Sequence, residues 1–405
     1  MDIYRVGGSV RDELLGLDVK ERDWVVVGAT AEQLEDAGYR RVGKDFPVFL
    51  HPQTGEEYAL ARTERKTAAG YHGFEVHACP DVTLEEDLAR RDLTINAMAI
   101  DSDGQLIDPY GGREDLAKRQ LRHVTQAFAE DPLRILRLAR FAARFAKLGF
   151  RIAPQTMELC RRMVDAGEAD ALVPERVWQE LSRGLMEPSP QRMIEVLREC
   201  GALEKVLIEV DDLYGIPQRS DYHPEGDAAK HTLLALEVAA NHGMPLAVRY
   251  AVLLHDSGKA QTPCAELPSH PEHDVRGEQL SEAASERLRV PRECRDVARI
   301  VARYHLHAHR ALQLRPGTIV ELLERLDAFR RPQRFEYFLL ACKADYLGRE
   351  GVASHAEYRQ GVLLRRALDA AQEITAKEFV ERGMRGPEVG EAVRQARCQA
   401  VAELL

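Results

Sequence analysis

The chain has 405 residues, 45% of them hydrophobic, so it can bury substantial cores, and its length suggests about two to four domains. Seven scattered cysteines without a CxxC pair argue against a disulfide framework or a thiolate zinc site. Because we find no secretory signal and no apolar run of membrane-spanning length, we expect a cytoplasmic protein without a membrane partner. The net charge of −10, taken as an average, argues against a nucleic-acid partner.

The first predicted elements surround a double glycine. A strand is expected over Ile3–Val6, then a tight turn at Gly7-Gly8, then a short helix from Ser9 to Leu15. A Gly-Gly-Ser turn that starts a helix offers backbone N–H groups to a phosphate chain, and Arg11 adds a positive charge. This opening therefore suggests a phosphate-binding turn.

A buried strand is predicted next, over Glu21–Gly28, because the segment contains a run of β-branched residues. Side chains two apart in a strand share a face, so Glu21 and Asp23 should point the same way. Two carboxylates held together imply a divalent cation. Taken alone, the Gly7-Gly8 turn could be purely structural, and the acidic pair could be a solvated strand edge. Because the turn and the acids follow each other closely in this order, together they favour a phosphate- and metal-binding site.

The combination of GGxxRD with a following (D/E)xD strand resembles the head domain of the tRNA nucleotidyltransferases and bacterial poly(A) polymerases, relatives of the DNA polymerase β superfamily. The resemblance implies an α/β head with a polymerase-β-like palm, in which Glu21 and Asp23 hold Mg²⁺ as catalytic ligands. Glu21 stands where the family most often has Asp. Glutamate is also a carboxylate ligand, but its side chain is one methylene longer, so the spacing to the metal would differ slightly. The triphosphate would be cradled by Gly7, Gly8, Ser9 and Arg11.

The rest of the head is predicted from weaker signals. Strands are expected at Glu56–Arg62 and Met98–Ile100, and the aperiodic, Gly-rich stretch Thr67–Asp81 should be a mobile loop. The head should end near residue 112. The segment from Arg90 to Asn96 could be a charged helix start, but it matches the family's RRD motif, which implies that Arg91 and Asp92 lie at the ribose of the nucleotide with Asn96 in support.

Beyond the head the pattern is helical, and basic residues concentrate there, which predicts a local phosphate-binding patch. They are Arg113, Lys118, Arg119, Arg122, Arg134, Arg137, Arg140, Arg144, Lys147 and Arg151. Asp131-Pro132 predicts a helix N-cap followed by proline in the first turn. At about 100° per residue, Arg137, Arg140 and Arg144 fall in one sector of that helix, beside an apolar face.

The same stretch resembles the family's EDxxR motif, which implies that Asp131 and Arg134 act as a protein template for the base. Cytosine and adenine both present an amine donor beside a ring-nitrogen acceptor, so a carboxylate and a guanidinium fit both. Guanine and uracil present a carbonyl and a ring N–H, and the resulting unpaired groups cost enough to exclude them. Arg137 and Arg140 would help hold the nucleotide.

A second constellation lies among helices in the C-terminal half. His231, the pair His255-Asp256 and the distal Asp345 resemble the H…HD…D pattern of the HD phosphohydrolase superfamily. The resemblance implies that these four residues bind a divalent transition metal, with Ni²⁺ a candidate, and that His255 and Asp256 are catalytic. His273 and His305 are candidates for a second metal or a phosphate contact, whereas His307 and His309 are expected at the surface.

Together these motifs resemble the HD-containing, CCA-adding tRNA nucleotidyltransferase family over essentially the whole chain. The expected domains are a head (1–112), a helical neck and body (113–222), an HD domain (223–350) and a helical tail (351–405). The implied activities are addition of C, C and A to tRNA from CTP and ATP, and hydrolysis of 2′,3′-cyclic phosphates, 2′-nucleotides or phosphomonoesters. The acceptor arm of tRNA is the expected partner, and the protein should be a monomer or homodimer.

Three other classes of protein share parts of this pattern. A poly(A) polymerase shares the head but typically lacks an HD domain and ends in a basic tail, which this chain does not have. A signalling nucleotidyltransferase can combine a transferase head with an HD domain, but it would need further sensing domains and has no reason to carry EDxxR. A non-catalytic RNA-binding protein would not need paired metal carboxylates.

Overall fold

The structure, a computed structural model, describes residues 1–19, 21–42, 48–66 and 74–405. The chain divides into two compact units. The first comprises Met1–Gly184 and Arg192–Val206, and the second comprises Leu185–Gln191 and Leu207–Leu405. The finer division into four domains at 112, 222 and 350 stays a prediction.

The first unit contains a mixed β-sheet that follows the order β3-β4-β5-β2-β1-β8-β9. At its centre β2 pairs antiparallel with β1 and parallel with β5. Two further pairs, β6-β7 and β10-β11, are separate. The strands are β1 (Asp2–Val6), β2 (Asp23–Val27), β3 (Arg40–Val42), β4 (Val48–Leu50), β5 (Glu57–Leu60), β6 (Thr63–Lys66), β7 (Phe74–His77), β8 (Ala99–Ile100), β9 (Leu106–Ile107), β10 (Gln120–Leu121) and β11 (Arg151–Ile152).

The sheet has a core on each face because successive side chains of a strand point to opposite sides. In β2, Val25 packs with Val6 and Leu88 on one face, whereas Val26 packs with Phe49 on the other. Four short helices accompany the sheet: α1 (Gly8–Leu14), α2 (Ala31–Asp36), α3 (Leu84–Ala89) and α4 (Gly112–Ala117). Asp23 lies two residues before Val25 and therefore belongs to the face that Leu88 of α3 covers.

The predicted head elements are confirmed with shifted ends, and one prediction is partly wrong. The strand predicted over Glu21–Gly28 begins only at Asp23, so Glu21 precedes it. Of the loop predicted over Thr67–Asp81, residues 67–73 lie outside the described residues. Residues 74–77 form β7, which pairs antiparallel with β6. The sequence did not indicate this strand because a run of 4 residues is too short for an alternating pattern of apolar residues to be recognised.

The rest of the first unit is helical, as predicted, apart from the two-residue strands β10 and β11. Most residues of these helices belong to that unit: α5 (Leu133–Phe145), α6 (Pro154–Asp165), α7 (Pro174–Leu185), α8 (Pro190–Glu199) and α9 (Ala202–Val206). Helix α5 packs against the head through stacked Phe141 and Phe145, and the guanidinium of Arg11 lies 5.2 and 5.1 Å from their ring centroids. The base-reading motif and the double-glycine turn are thus parts of one packed unit.

The second unit, as far as the structure describes it, is built from helices joined by irregular connections. They are α10 (Ile208–Asp211), α11 (Ala228–Asn241), α12 (Leu246–Leu254), α13 (His273–Arg287), α14 (Arg292–His309), α15 (Pro316–Arg325), α16 (Pro332–Leu347), α17 (Arg359–Gln372), α18 (Ala376–Glu381) and α19 (Pro387–Ala402). A Cβ on Gly348, at the end of α16, would lie 2.6 Å from Cα of Ala235 on α11, so glycine is required for this close approach. Among the described helices, none is both long and apolar enough to cross a membrane.

Candidate functional sites in the two units

The first candidate site surrounds the double-glycine turn, and we call it the head cluster. It consists of Gly7, Gly8, Glu21, Asp23, Arg91 and Asp92. In the antiparallel register of β1 and β2, Asp23 lies opposite Val6, the residue directly before the turn. Gly7 has a φ of +71°, and a Cβ there would be 2.8 Å from Nη1 of Arg91, so both backbone and space require glycine. The motifs at 7, 23 and 91 therefore meet, as predicted.

The acidic pair is electrostatically coupled. Burial raises the pKa of Asp23, the positive charge of Arg91 opposes this rise, and the negative charge of Glu21 adds to it. A carboxylate that is partly desolvated beside a second acid favours a divalent cation, because the cation would remove the repulsion between them. The donor set thus fits the Mg²⁺ that the family resemblance implies.

Asp92 is buried and held by three partners. Its carboxylate accepts hydrogen bonds from the backbone N–H of Leu93 (2.8 Å), from the amide of Asn96 (2.9 Å) and from Nε of Arg137 (2.9 Å). Burial alone would raise the pKa of Asp92, but Arg137 and these hydrogen bonds lower it overall. Asp92 therefore stays ionised and fixes Arg137 of α5 beside the head cluster.

Two residues predicted to contact the triphosphate are turned inward instead. The hydroxyl of Ser9 donates to the carbonyl of Val6 (3.0 Å), so only its backbone N–H is left to face a phosphate. The guanidinium of Arg11 is almost fully buried and donates to Asp12 (2.8 Å) and to the side-chain oxygen of Asn96 (2.5 Å). In this structure Arg11 links the turn to Asn96, and a direct contact with phosphate stays a prediction.

The predicted base-reading pair has protein partners in this structure. Asp131 accepts from the backbone N–H of Leu133 (3.0 Å), the first residue of α5, so the predicted hydrogen bond to the helix start is present although Pro132 directly precedes the helix instead of beginning it. The other oxygen of Asp131 accepts from Arg176 (2.9 Å). Arg134 donates to the carbonyls of Ala127 (2.7 Å) and Arg90 (2.6 Å). Because Arg90 precedes Arg91, the pair is connected to the head cluster through a backbone contact.

Three arginines of the expected basic patch lie on α5 and form ion pairs within the protein; the patch as a phosphate-binding surface stays a prediction. Arg137, Arg140 and Arg144 do share a sector, but each pairs with an acid brought from elsewhere in the first unit. Arg137 pairs with Asp92, Arg140 with Glu180 (2.6 Å) and Arg144 with Asp12 (2.9 Å). The sequence showed the sector but not the acids, which lie up to 132 residues away.

The second candidate site, which we call the histidine cluster, is in the second unit. It consists of His231 on α11, His255 and Asp256 directly after α12, His273 at the start of α13, His305 on α14 and Asp345 on α16. All six are buried. Nε2 of His231 is 3.1 Å from Oδ1 of Asp345, and Nε2 of His255 is 3.2 Å from Oδ2 of Asp256. The predicted H…HD…D set is thus brought together.

His273 and His305 approach the opposite oxygen of Asp256. Their Nε2 atoms are 3.5 and 3.7 Å from Oδ1 of Asp256 and 3.3 Å from each other. Asp256 therefore lies between two groups of potential ligands, one with His231 and His255 and one with His273 and His305. This arrangement matches the expectation that His273 and His305 are candidates for a second metal or a phosphate contact.

The geometry of the imidazoles fits a cation. Nδ1 atoms of His255, His273 and His305 lie 2.7, 2.7 and 3.0 Å from backbone carbonyls, which can only accept, so Nδ1 carries the hydrogen and Nε2 is free to coordinate. Nε2 of His255 and Oδ1 of Asp256 are buried without hydrogen-bond partners. Burial alone would raise the pKa of Asp256, but His255 and Lys259 lower it overall, so the carboxylate is ionised.

Two residues beside the histidine cluster, His309 and Glu225, have contacts that were not predicted. The prediction that His309 lies at the surface is wrong. Its Nε2 is 2.5 Å from Oδ2 of Asp345, and its Nδ1 is 3.1 Å from the hydroxyl of Tyr358. Its spacing of four from His305 on one helix could have indicated this. Glu225 is 2.7 Å from Nδ1 of His231 and 2.9 Å from Nδ1 of His223. His307 contacts Tyr304 and is half-buried.

Three family models match successive parts of the chain. Residues 3–122 match the Poly A polymerase head domain, residues 149–213 match the probable RNA and SrmB-binding site of polymerase A, and residues 228–347 match the HD domain. The predicted fold class, a polymerase-β-like head followed by helical regions that include an HD domain, is confirmed.

Curated relatives that match nearly the whole chain have high sequence identity to it. The Multifunctional CCA protein of Halorhodospira halophila is 66% identical over 404 residues, which are 100% of this chain and 97% of that protein. The Multifunctional CCA protein of Pseudomonas aeruginosa is 56% identical and covers 99% of this chain and 98% of its own.

Solved structures share the fold at lower identity. A CCA-adding enzyme of Bacillus stearothermophilus in complex with CTP has a TM-score of 0.65 at 24% identity, over 99% of this chain and 89% of its own. A Thermotoga maritima CCA-adding enzyme complexed with tRNA has a TM-score of 0.62 at 21% identity, over 100% and 92%. With a head cluster in one unit, a histidine cluster in the other and relatives that match along its whole length, the chain belongs to the family of multifunctional CCA proteins.

Proposed function

We propose that this protein adds C, C and A in turn to the 3′ end of tRNA, with CTP and ATP as substrates and no nucleic-acid template. The observation that carries the proposal is the position of Asp23. It lies opposite the residue before the Gly7-Gly8 turn, beside Glu21 and Arg91. The names of the relatives that are 56–66% identical support the same activity.

In the proposed reaction, Glu21 and Asp23 hold Mg²⁺. When bound, the metal ions supply activation of the tRNA 3′-hydroxyl and neutralisation of charge on the transferring phosphoryl group and the departing pyrophosphate. The protein's own residues position the substrate. The Gly7-Gly8 turn would admit the phosphate chain because no Cβ blocks it, and Arg91 adds a positive charge beside the turn. Asp92 would accept from a ribose hydroxyl in exchange for one of its present hydrogen bonds.

Base choice is proposed to rest on Asp131 and Arg134. The carboxylate would accept from the exocyclic amine, and the guanidinium would donate to the ring nitrogen, which cytosine and adenine share. Both side chains now bond to protein groups, so nucleotide binding must exchange those bonds for bonds to the base. Arg137 and Arg140, on the same helix as Arg134, would help to hold the nucleotide.

The tRNA is proposed to be gripped through shape and backbone, because recognition of helical RNA depends mainly on 2′-hydroxyl and phosphate contacts. A tRNA is the partner in the structure of the Thermotoga maritima CCA-adding enzyme, and we propose that this chain holds the acceptor arm. The match of residues 149–213 to a probable RNA-binding region supports a contribution from the helices after α5.

We further propose that the histidine cluster is a metal-dependent phosphohydrolase site for 2′,3′-cyclic phosphates, 2′-nucleotides or phosphomonoesters. His231, His255, Asp256 and Asp345 would hold a divalent transition metal, and imidazole-rich sets suit ions such as Ni²⁺. The bound ion would polarise phosphate and activate water. Glu225 would orient His231, since a metal-bound histidine commonly donates its other N–H to a carboxylate.

The experiment that tests the transferase is a gel assay on tRNA that lacks its terminal CCA. We expect two additions with CTP alone, three with CTP and ATP together, and none with GTP or UTP. A long tail from ATP alone would instead identify a poly(A) polymerase, the main alternative for this head. Product formed without any divalent cation would overturn the assignment of Glu21 and Asp23.

A further inference from the structure

A third group of ligating side chains lies outside both clusters, in the segment between β7 and α3. Nε2 of His77 is 2.6 Å from Sγ of Cys79, and Oδ1 of Asp81 also contacts that sulfur. The donor atoms of the three residues all lie within 4.8 Å of one another. An imidazole, a thiol and a carboxylate therefore converge at one point of the head.

Local backbone structure explains why these side chains meet. His77 ends β7, where it pairs with Thr63, and residues two apart in an extended chain point to the same side. The chain then turns, with the N–H of Val82 donating to the carbonyl of Cys79 (3.1 Å), which brings Asp81 back toward the sulfur. His77 and Asp81 are exposed and Cys79 is half-buried, so an ion from solvent can reach the group.

The chemistry of this set differs from that of the other two clusters. The head cluster offers oxygen, which suits Mg²⁺, and the histidine cluster offers nitrogen and oxygen. Here a thiolate is combined with an imidazole and a carboxylate, and such mixed sets suit Zn²⁺ and related first-row transition metals. The absence of CxxC pairs argued against a multi-thiolate site, but a single thiolate with two other ligands needs no such pair.

We propose that His77, Cys79 and Asp81 form a binding site for a transition-metal ion of the Zn²⁺ class. Three protein ligands leave a fourth tetrahedral position for water or another small ligand. On binding, the sulfur–metal bond replaces the S–H bond of Cys79, and the proton goes to the buffer. The ion cross-links the end of β7 to the turn that precedes α3, and so ties down the segment leading to Asp87, which pairs with Arg91 of the head cluster (3.2 Å).

Titration of the full-length protein with Co²⁺ tests the proposal, because thiolate ligands give a charge-transfer absorption band in the near ultraviolet. None of the ligating atoms of the histidine cluster is sulfur, so Co²⁺ bound there adds no such band. We expect the band to grow and saturate as Co²⁺ is added in excess of the ions that the histidine cluster takes up, and to disappear when Zn²⁺ is added.

Variants identify the ligand. Cys79→Ser should abolish the band, whereas Cys264→Ser, which changes an exposed cysteine outside the group, should keep it. His77→Ala should raise the Co²⁺ concentration for half-saturation by at least about tenfold, since even loss of an outer partner costs 10–100-fold. Circular dichroism checks that each variant is folded. A band that is absent from the unaltered protein, that persists in Cys79→Ser, or that is lost equally in Cys264→Ser overturns the proposal.

Discussion

The ion pair between Asp92 and Arg137 should contribute about 2 kcal/mol of coupling to the free energy of unfolding of the first unit. The side chain of Asp92 is 6% exposed and that of Arg137 is 34% exposed, with Nε and Nη2 of Arg137 at 2.9 and 2.7 Å from one carboxylate oxygen. Breaking a fully buried pair costs about 3–5 kcal/mol, and an exposed pair contributes about 0.2–1 kcal/mol. The intermediate exposure of Arg137 places the expected coupling between these limits.

A double-mutant cycle measures this coupling. Asp92→Asn and Arg137→Gln should each destabilise the unit, and the double variant should lose about 2 kcal/mol less than the sum of the two. Both tryptophans, Trp24 and Trp178, belong to the first unit, so tryptophan fluorescence during urea unfolding reports on that unit. A coupling below about 0.5 kcal/mol at low salt would refute the reasoning, since the pair would then behave as a surface pair.

The coupling should depend on pH in a defined direction. The folded-state pKa of Asp92 is lowered relative to the unfolded value of about 3.9, so its contribution to stability is present above that value. The contribution should decline as the pH falls below about 4, toward the folded-state pKa. The free-energy difference between the unaltered protein and Asp92→Asn should therefore be constant from pH 6 to 8 and shrink in acid. A difference that grows on acidification would contradict the assigned sign.

Two further predictions separate the two clusters. Asp23→Ala should abolish nucleotide addition and keep phosphohydrolase activity, and His255→Ala should do the reverse; loss of both activities in either folded variant would show that the sites are not independent. Glu225→Gln should raise the Ni²⁺ concentration that half-activates hydrolysis of a 2′,3′-cyclic nucleotide about 10–100-fold, because it weakens the contact that orients His231. Glu350→Gln, which alters an exposed carboxylate paired with lysine, is the matched control and should change nothing.

The parts of the site that the sequence predicted well are those encoded within a few residues. The Gly7-Gly8 turn needs glycine for the positive φ at Gly7, and Asp23 is the first residue of a short β-branched strand. The capping of α5 by Asp131 is equally local. Such features are recognised because one short segment contains both the cause and its effect.

What the sequence did not reveal depends on contacts between distant segments. The direction of the arginines on α5 is decided by Glu180 and Asp12, which come from other helices. Glu225 lies in an irregular connection, where no periodicity predicts that it will meet His231. The spacing of four places His309 on the same side of α14 as His305, but it does not show that the partner of His309 is Asp345, which lies 36 residues further on.

The central claim is that a carboxylate and a guanidinium choose the base, and Asp131→Ser tests it most directly. Serine retains an N-cap for α5 but is too short to reach a base. We predict that kcat/KM for CTP falls by roughly 5- to 150-fold, the equivalent of about 1–3 kcal/mol for one specific hydrogen-bonded base contact, while the low value for UTP stays nearly unchanged. An equal fall for CTP and UTP would contradict the account, because it would assign Asp131 a purely structural role.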